Sequence, residues 1–337
     1  MNLNRRDFLK MVGAGGVALW LPLSLIEKAL AGNGDPRVIW LQGLSCTGCS
    51  VSLLNSVNLT TVDDLLLNKI NMEYHSTLIA SAGDLALNSA LGLHPSLDEL
   101  QGFGDQWLKT GSGLEFDLNN DGIVNLIDFA KLASQGYILV VEGAIPTGAD
   151  GNYCHVGNGL TMLRAFDLFS EKTNMIIAVG TCAAFGGIPA AAPNLTGAKS
   201  VSDTLAYLGR TRTVINIPGC PIHPDWFVGT VVKALAGQTI SLDAQKRPLD
   251  YFSQTVHSLC PYRDHYEEID NLGELGCYKE IGCKGPKTRA NCPILKWNNP
   301  GQGQNGVNWC VQARTPCTGC TEPTFPDGMM PFYKPKN

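Results

Sequence analysis

Val38-Ile-Trp-Leu-Gln-Gly-Leu-Ser-Cys-Thr-Gly-Cys49 decides the fold. The apolar run Val38–Leu41 ends in a Gly- and Cys-rich turn, Gly43 to Cys49, and Ser50 to Leu67 then reads as a helix. This is a strand, a loop and a helix. The pattern recurs at Gly136–Val141, which ends at Glu142-Gly143; at Met175–Val179, which ends at Gly180-Thr-Cys182; and at Thr213–Ile217, which ends at Pro218-Gly-Cys220. Continuous apolar runs of this length suit strands buried on both faces of a parallel sheet, so an α/β class is expected. Three of the four strands deliver a Cys just past their C-terminal end, the edge where open α/β sheets bind ligands. One site at that edge is the economical inference.

Working outward, 337 residues suggest about two domains at roughly 150 residues each. From about residue 245 the apolar periodicity fades and Gly, Pro, Asn and Cys dominate. A second, irregular domain over 245–337 is expected there, organised by metal ligation rather than by a large core. At the other end, Arg5-Arg6-Asp-Phe-Leu-Lys10 precedes an apolar run from Met11 to Ile26 and the small-x-small site Ala29-Leu-Ala31. Residues 1–31 therefore read as a twin-arginine signal peptide, with the periplasm as destination. The run is too short for a membrane anchor and is interrupted by Pro22. Removing it takes away Arg5, Arg6, Lys10 and Lys28 with Asp7 and Glu27, and moves the formal charge from -5 to -7. An acidic surface argues against nucleic acid or an anionic membrane as partner.

The chain carries twelve Cys, seven of them between Cys260 and Cys320. Export licenses disulfides, so six bridges are one reading. The twin-arginine route, which carries proteins folded beforehand, weakens it. Cys46-Thr-Gly-Cys49 alone could be a thioredoxin-like pair, but Cys182 and Cys220 bring the count to four thiolates, the set of a 4Fe-4S cluster, which zinc would also accept. His257, Cys260, Cys277 and Cys283 form a second set, in which a neutral imidazole replaces one thiolate and raises the potential. Cys292, Cys310, Cys317 and Cys320 form a third, and Cys154 is left over. Three clusters and no evident substrate pocket make an electron wire.

The stretches Cys46-Thr-Gly-Cys49, Val141-Glu-Gly-Ala-Ile-Pro146, Gly180-Thr-Cys182, Ile217-Pro-Gly-Cys220-Pro, Val256-His-x-x-Cys260, Gly282-Cys-Lys-Gly-Pro286, Asn291-Cys-Pro293 and Cys317-Thr-Gly-Cys320 resemble, in order, the small subunit of nickel-iron hydrogenases. The resemblance implies a flavodoxin-like domain, here 36–244, holding a proximal 4Fe-4S cluster on Cys46, Cys49, Cys182 and Cys220. It implies a distal 4Fe-4S cluster on His257, Cys260, Cys277 and Cys283, and a medial one on the last set. It further implies a large subunit with the hydrogen-cleaving nickel-iron centre, and an external carrier such as a periplasmic c-type cytochrome. Oxygen-tolerant members carry two extra Cys where this chain has Gly48 and Gly187, so an oxygen-sensitive proximal cluster is expected. Most members have Pro at the position of Cys310; the Cys resembles the nickel-iron-selenium subgroup and implies a 4Fe-4S medial cluster rather than 3Fe-4S.

One segment stands outside that pattern, in an insertion at about 104–135. Asp117-Leu-Asn119-Asn-Asp121-Gly122-Ile123-Val-Asn-Leu-Ile-Asp128 fits a calcium loop and resembles one copy of a dockerin repeat. Asp117, Asn119, Asp121 and Asp128 would ligate by side chain and Ile123 by its carbonyl. The alternatives are a solvated acidic turn and, for the whole chain, a secreted, disulfide-stapled calcium-binding protein.

Overall fold

The computed structural model describes residues 37–78, 106, 109–111, 137–157, 159–173, 175–235, 238–263, 269–299 and 306–334. The signal segment 1–31 and the loop Asp117–Asp128 lie outside the described residues. Five strands, β1 (Arg37–Gln42), β2 (Asn71–His75), β3 (Ile138–Glu142), β4 (Met175–Val179) and β5 (Val214–Ile217), form one sheet in the order β2-β1-β3-β4-β5. Every pair is parallel. This is the flavodoxin-like doubly wound order.

The described helices are α1 (Gly48–Leu54), α2 (Val62–Asn68), α3 (Met162–Lys172), α4 (Gly180–Phe185), α5 (Val201–Tyr207), α6 (Pro224–Leu235), α7 (Leu249–Phe252), α8 (Val256–Leu259) and α9 (Cys292–Leu295). The helix expected over Ser50–Leu67 is two helices. The chain leaves α1 at Asn55 and restarts where Thr61 caps α2 by accepting from the Asp64 N–H. A capping threonine satisfies a donor that a continuous helix would bond internally.

Strand residues alternate between two cores because successive side chains point to opposite faces. Trp40, Val140, Ile177 and Ile217 enter one core, and Leu41, Val141, Ala178 and Val214 the other. The first core continues into the C-terminal segment through Tyr251, Phe252, Tyr278, Leu295 and Trp309. Trp226 of α6 is the junction: its ring lies 5.0 Å from Phe252, and its Nε1–H donates to Asn291 at 2.8 Å. The segment after residue 245 thus has more core than its composition suggests, because it shares that of the sheet.

Register fixes the working edge. Gln42 pairs with Glu142, Glu142 with Val179, and Val179 with Ile217, so four strands end on one line. The turns bearing Cys46, Cys49, Cys182 and Cys220 all leave from it.

Candidate functional site

All twelve cysteines are free thiols. At the sheet edge the charges of Cys182, Cys220 and Glu142 all act on Cys49, and that of Cys46 acts on Cys182 and Cys220. The four predicted residues therefore meet. Gly180, at φ +84, comes so near that an added Cβ would sit 2.6 Å from Cys49 Sγ. Gly187 and Gly48 line the same cradle, with Cβ positions 2.9 Å from Cys182 Sγ and 3.0 Å from Cys46 Sγ.

Beneath these thiols lies Glu142, which the Val141–Pro146 stretch contains but which is not among the predicted site residues. Glu142, 1 % exposed, accepts at Oε1 from the Ser45 hydroxyl (3.0 Å) and the Cys49 N–H (3.1 Å). Its Oε2 accepts from Trp40 Nε1–H and Gln42 Nε2, both at 3.1 Å, and from the Ser50 hydroxyl. Ser50 in turn lies 3.0 Å from Nε2 of His75, whose Nδ1 accepts from the Thr77 N–H at 3.1 Å. Burial lowers the His75 pKa to about 4, against the opposing pull of Glu142. The ring is neutral, so its Nε2–H donates to Ser50. A carboxylate ending a buried apolar strand was the available signal: an acid there has to be met by donors.

His257, Cys260, Cys277 and Cys283 line one cavity with Tyr278 and Trp309. Gly285 allows this closeness, its Cβ position lying 3.5 Å from Cys283 Sγ and 3.7 Å from the His257 Cβ. A second cavity, of about 290 Å³, opens beside Cys283 between Lys279, Lys284, Lys287 and Lys334. In the third set Cys317, Cys320 and Cys310 all act on Cys292. Cys310 acts also on Cys317 and Cys320, and Cys283 of the second set acts on Cys310 and Cys317, so Cys310 lies near the third set on its side toward the second. Cys154 stands apart, packed with Val156 and Leu163 against the second core, and only burial raises its pKa.

The three sets touch in series. The Cys220 backbone N–H stabilises the Cys320 thiolate, and the Cys317 N–H donates to Cys283 Sγ at 3.3 Å. The third set therefore lies between the other two.

Buried thiols without compensating cations hold their protons. Burial first, and neighbouring cysteines after it, push Cys182 and Cys320 up to about 12 and Cys292 and Cys317 well above the ordinary thiol value, while Cys49 is raised by burial, then by the Glu142 carboxylate and then by cysteines. A cationic metal core reverses that balance, since a coordinating thiol is deprotonated outright. Among the described residues no three His, Cys, Asp or Glu side chains converge tightly enough to hold one ion. Tetrahedral zinc would need its sulfurs about 2.3 Å from a single point. The first set surrounds a cradle lined by Gly48, Gly180 and Gly187, and four thiolates are also the donor set of an iron–sulfur core.

Residues 46–234 match the family described as NADH ubiquinone oxidoreductase, 20 Kd subunit. Residues 252–333 match the C-terminal family of the NiFe/NiFeSe hydrogenase small subunit. The chain is 37 % identical to the periplasmic NiFeSe hydrogenase small subunit of Desulfomicrobium baculatum, over 99 % of both chains. It is equally identical to periplasmic NiFe hydrogenase small subunit 1 of Nitratidesulfovibrio vulgaris, over 98 % of this chain and 93 % of that one. The solved NiFeSe hydrogenase of D. baculatum in its reduced, active form superposes with a TM-score of 0.71 at 38 % identity, covering 90 % of this chain and all of that one. Among the described residues no helix is long and apolar enough to cross a membrane. The chain belongs to the small subunits of the NiFe and NiFeSe hydrogenases, the electron-transfer partners of a large subunit.

Proposed function

We propose that this small subunit relays single electrons between the hydrogen-cleaving centre of its large subunit and an external carrier through three iron–sulfur clusters. Cys46, Cys49, Cys182 and Cys220 would hold the proximal 4Fe-4S cluster, Cys292, Cys310, Cys317 and Cys320 the medial, and His257, Cys260, Cys277 and Cys283 the distal. When bound, such clusters supply one-electron redox chemistry at potentials set by ligand, charge and hydrogen bonding. The observation that carries the reading is the serial contact of the three sets, Cys220 against Cys320 and Cys317 against Cys283.

The protein's own part is to exclude water from the thiols and aim N–H groups at them. Trp297 donates a hydrogen bond to Cys292, and the Gly285 and Cys317 backbones donate to Cys283. The cavity beside Cys283 is the proposed exit for electrons. The carrier would be a periplasmic c-type cytochrome, reached after export by the twin-arginine route. The periplasmic names of the relatives support that destination.

Iron analysis with electron paramagnetic resonance tests the relay: about twelve iron atoms per chain are expected for three four-iron clusters. A colourless, iron-free heterodimer would overturn it. Cys310 supplies a sharper test, because a cubane without a thiolate at one corner readily loses that iron. Oxidised wild type should lack a strong 3Fe-4S signal, and Cys310→Pro should gain one. A strong signal already in wild type would remove Cys310 from the ligand set. Cys154→Ser should leave the iron content unchanged, and the loss of about four iron atoms, one cluster's worth, would show that the ligands are partitioned otherwise.

The loop Asp117–Asp128 is proposed to bind calcium through Asp117, Asn119, Asp121, Ile123 and Asp128. Asp121→Ala should then lower the calcium content while hydrogen-dependent dye reduction persists. Equal calcium in the two proteins would show that no site exists.

A further inference from the structure

The sheet edge and the C-terminal segment are tied at one hydroxyl. Thr181, 1 % exposed, lies between Gly180 and Cys182 at the start of α4. Its Oγ1 accepts from the Gly219 N–H at 2.9 Å, and its own N–H donates to the Gly219 carbonyl at 3.0 Å. The hydroxyl proton goes elsewhere, to the carbonyl of Cys320, 139 residues along the chain. Gly219 directly precedes Cys220, and Cys182 directly follows Thr181. One side chain therefore fixes the backbone beside two thiols of the first set and one of the third. These two sets also meet where the Cys220 backbone N–H reaches the Cys320 sulfur.

We propose that Thr181 is a positioning residue for electron transfer between the first and third centres, its hydroxyl holding the backbones of Cys220 and Cys320 in the alignment that sets the crossing rate. The inference rests on the three-cluster relay. In the step itself one electron leaves the first centre and enters the third; no covalent bond forms or breaks and no proton moves. Valine at 181 keeps the β-branch of threonine but removes both hydrogen bonds, leaving the Gly219 N–H and the Cys320 carbonyl without this partner. Serine keeps the hydroxyl.

The test uses the whole heterodimer, mixed with dihydrogen and freeze-quenched for electron paramagnetic resonance, with iron content and equilibrium potentials measured alongside. Thr181→Val should reduce the third centre more slowly than wild type, because the two backbones lose the hydroxyl that aligns them. Its iron content and the potentials of both centres should be unchanged. Thr181→Ser should restore a rate close to that of wild type. A Thr181→Val rate equal to wild type, or a Thr181→Ser protein as slow as Thr181→Val, overturns the inference. Should the valine protein fail to load iron, the serine protein decides: iron-loaded and fast supports the role, iron-loaded and slow refutes it. A wild type lacking iron would remove the relay itself, a failure recognised from the metal content before any rate is compared.

Discussion

Glu142→Ala protein will melt roughly 10–20 °C below wild type, if it accumulates at all, for a loss of about 5 kcal/mol. The expectation follows from counting what the carboxylate satisfies. Five donors converge on it: the Trp40 indole, the Gln42 amide, the Ser45 and Ser50 hydroxyls and the Cys49 backbone N–H. Each buried donor left without a partner costs about 1–3 kcal/mol, and these share one cavity, so the sum is less than fivefold. Glu142→Gln keeps one acceptor oxygen but turns an N–H₂ toward donors, and should fall between. The Cys49 N–H lies beside a proposed ligand, so the alanine protein should also hold less iron. Thermal unfolding of the purified heterodimer measures the first effect. A midpoint within about 3 °C of wild type, near 1 kcal/mol for a protein of this size, would refute the idea that Glu142 organises the edge.

Acidification will weaken the same corner from a second direction. His75 is fully buried, and burial lowers its pKa from 6.5 to about 4. Between those values the folded protein keeps the ring neutral while the unfolded chain binds a proton there. The unfolded state therefore gains, and stability falls as pH drops from 6.5 to 4. Above 6.5 the contribution is fully present. The size is about 3 kcal/mol over the window, because each tenfold change in proton affinity between the two states is worth about 1.4 kcal/mol. Carboxylates throughout the protein add their own slope, so the comparison is with His75→Gln, which preserves a donor toward Ser50 and cannot titrate. Denaturant unfolding at several pH values should give wild type the steeper loss between pH 6.5 and 4. Parallel curves would mean that the ring is already solvated.

Much of the sheet was legible because its strands are buried on both sides. The apolar run Met175–Val179 coincides with β4 to the residue, and Val38–Leu41 sits inside β1. Strand β2 escaped because Asn71-Met-Glu-Tyr-His75 lies at the edge of the sheet, pairs only with β1 and never forms an apolar run. The proposed thiol sets could be read from counting, since cysteines stand out in any sequence. Glu142 gave a signal that it must be met by donors, but not which ones, because the five come from other segments. Thr181 stands out only as part of a motif, and nothing local announces that its hydroxyl meets a carbonyl 139 residues away.

The first thiol set draws Cys46 and Cys49 from the turn after β1 and Cys220 from the turn after β5, at the far edge of the sheet. No growing chain that lacks β5 can bring those sulfurs together, and contacts between residues so distant in sequence form late. Cys320, fastened to Thr181, arrives later still. A cluster held by the first set would therefore require the chain to be made and folded at least as far as Cys220. The contact of Thr181 with Cys320 extends that requirement, so the alignment of the first and third sets forms only after the C-terminal segment has docked on the sheet.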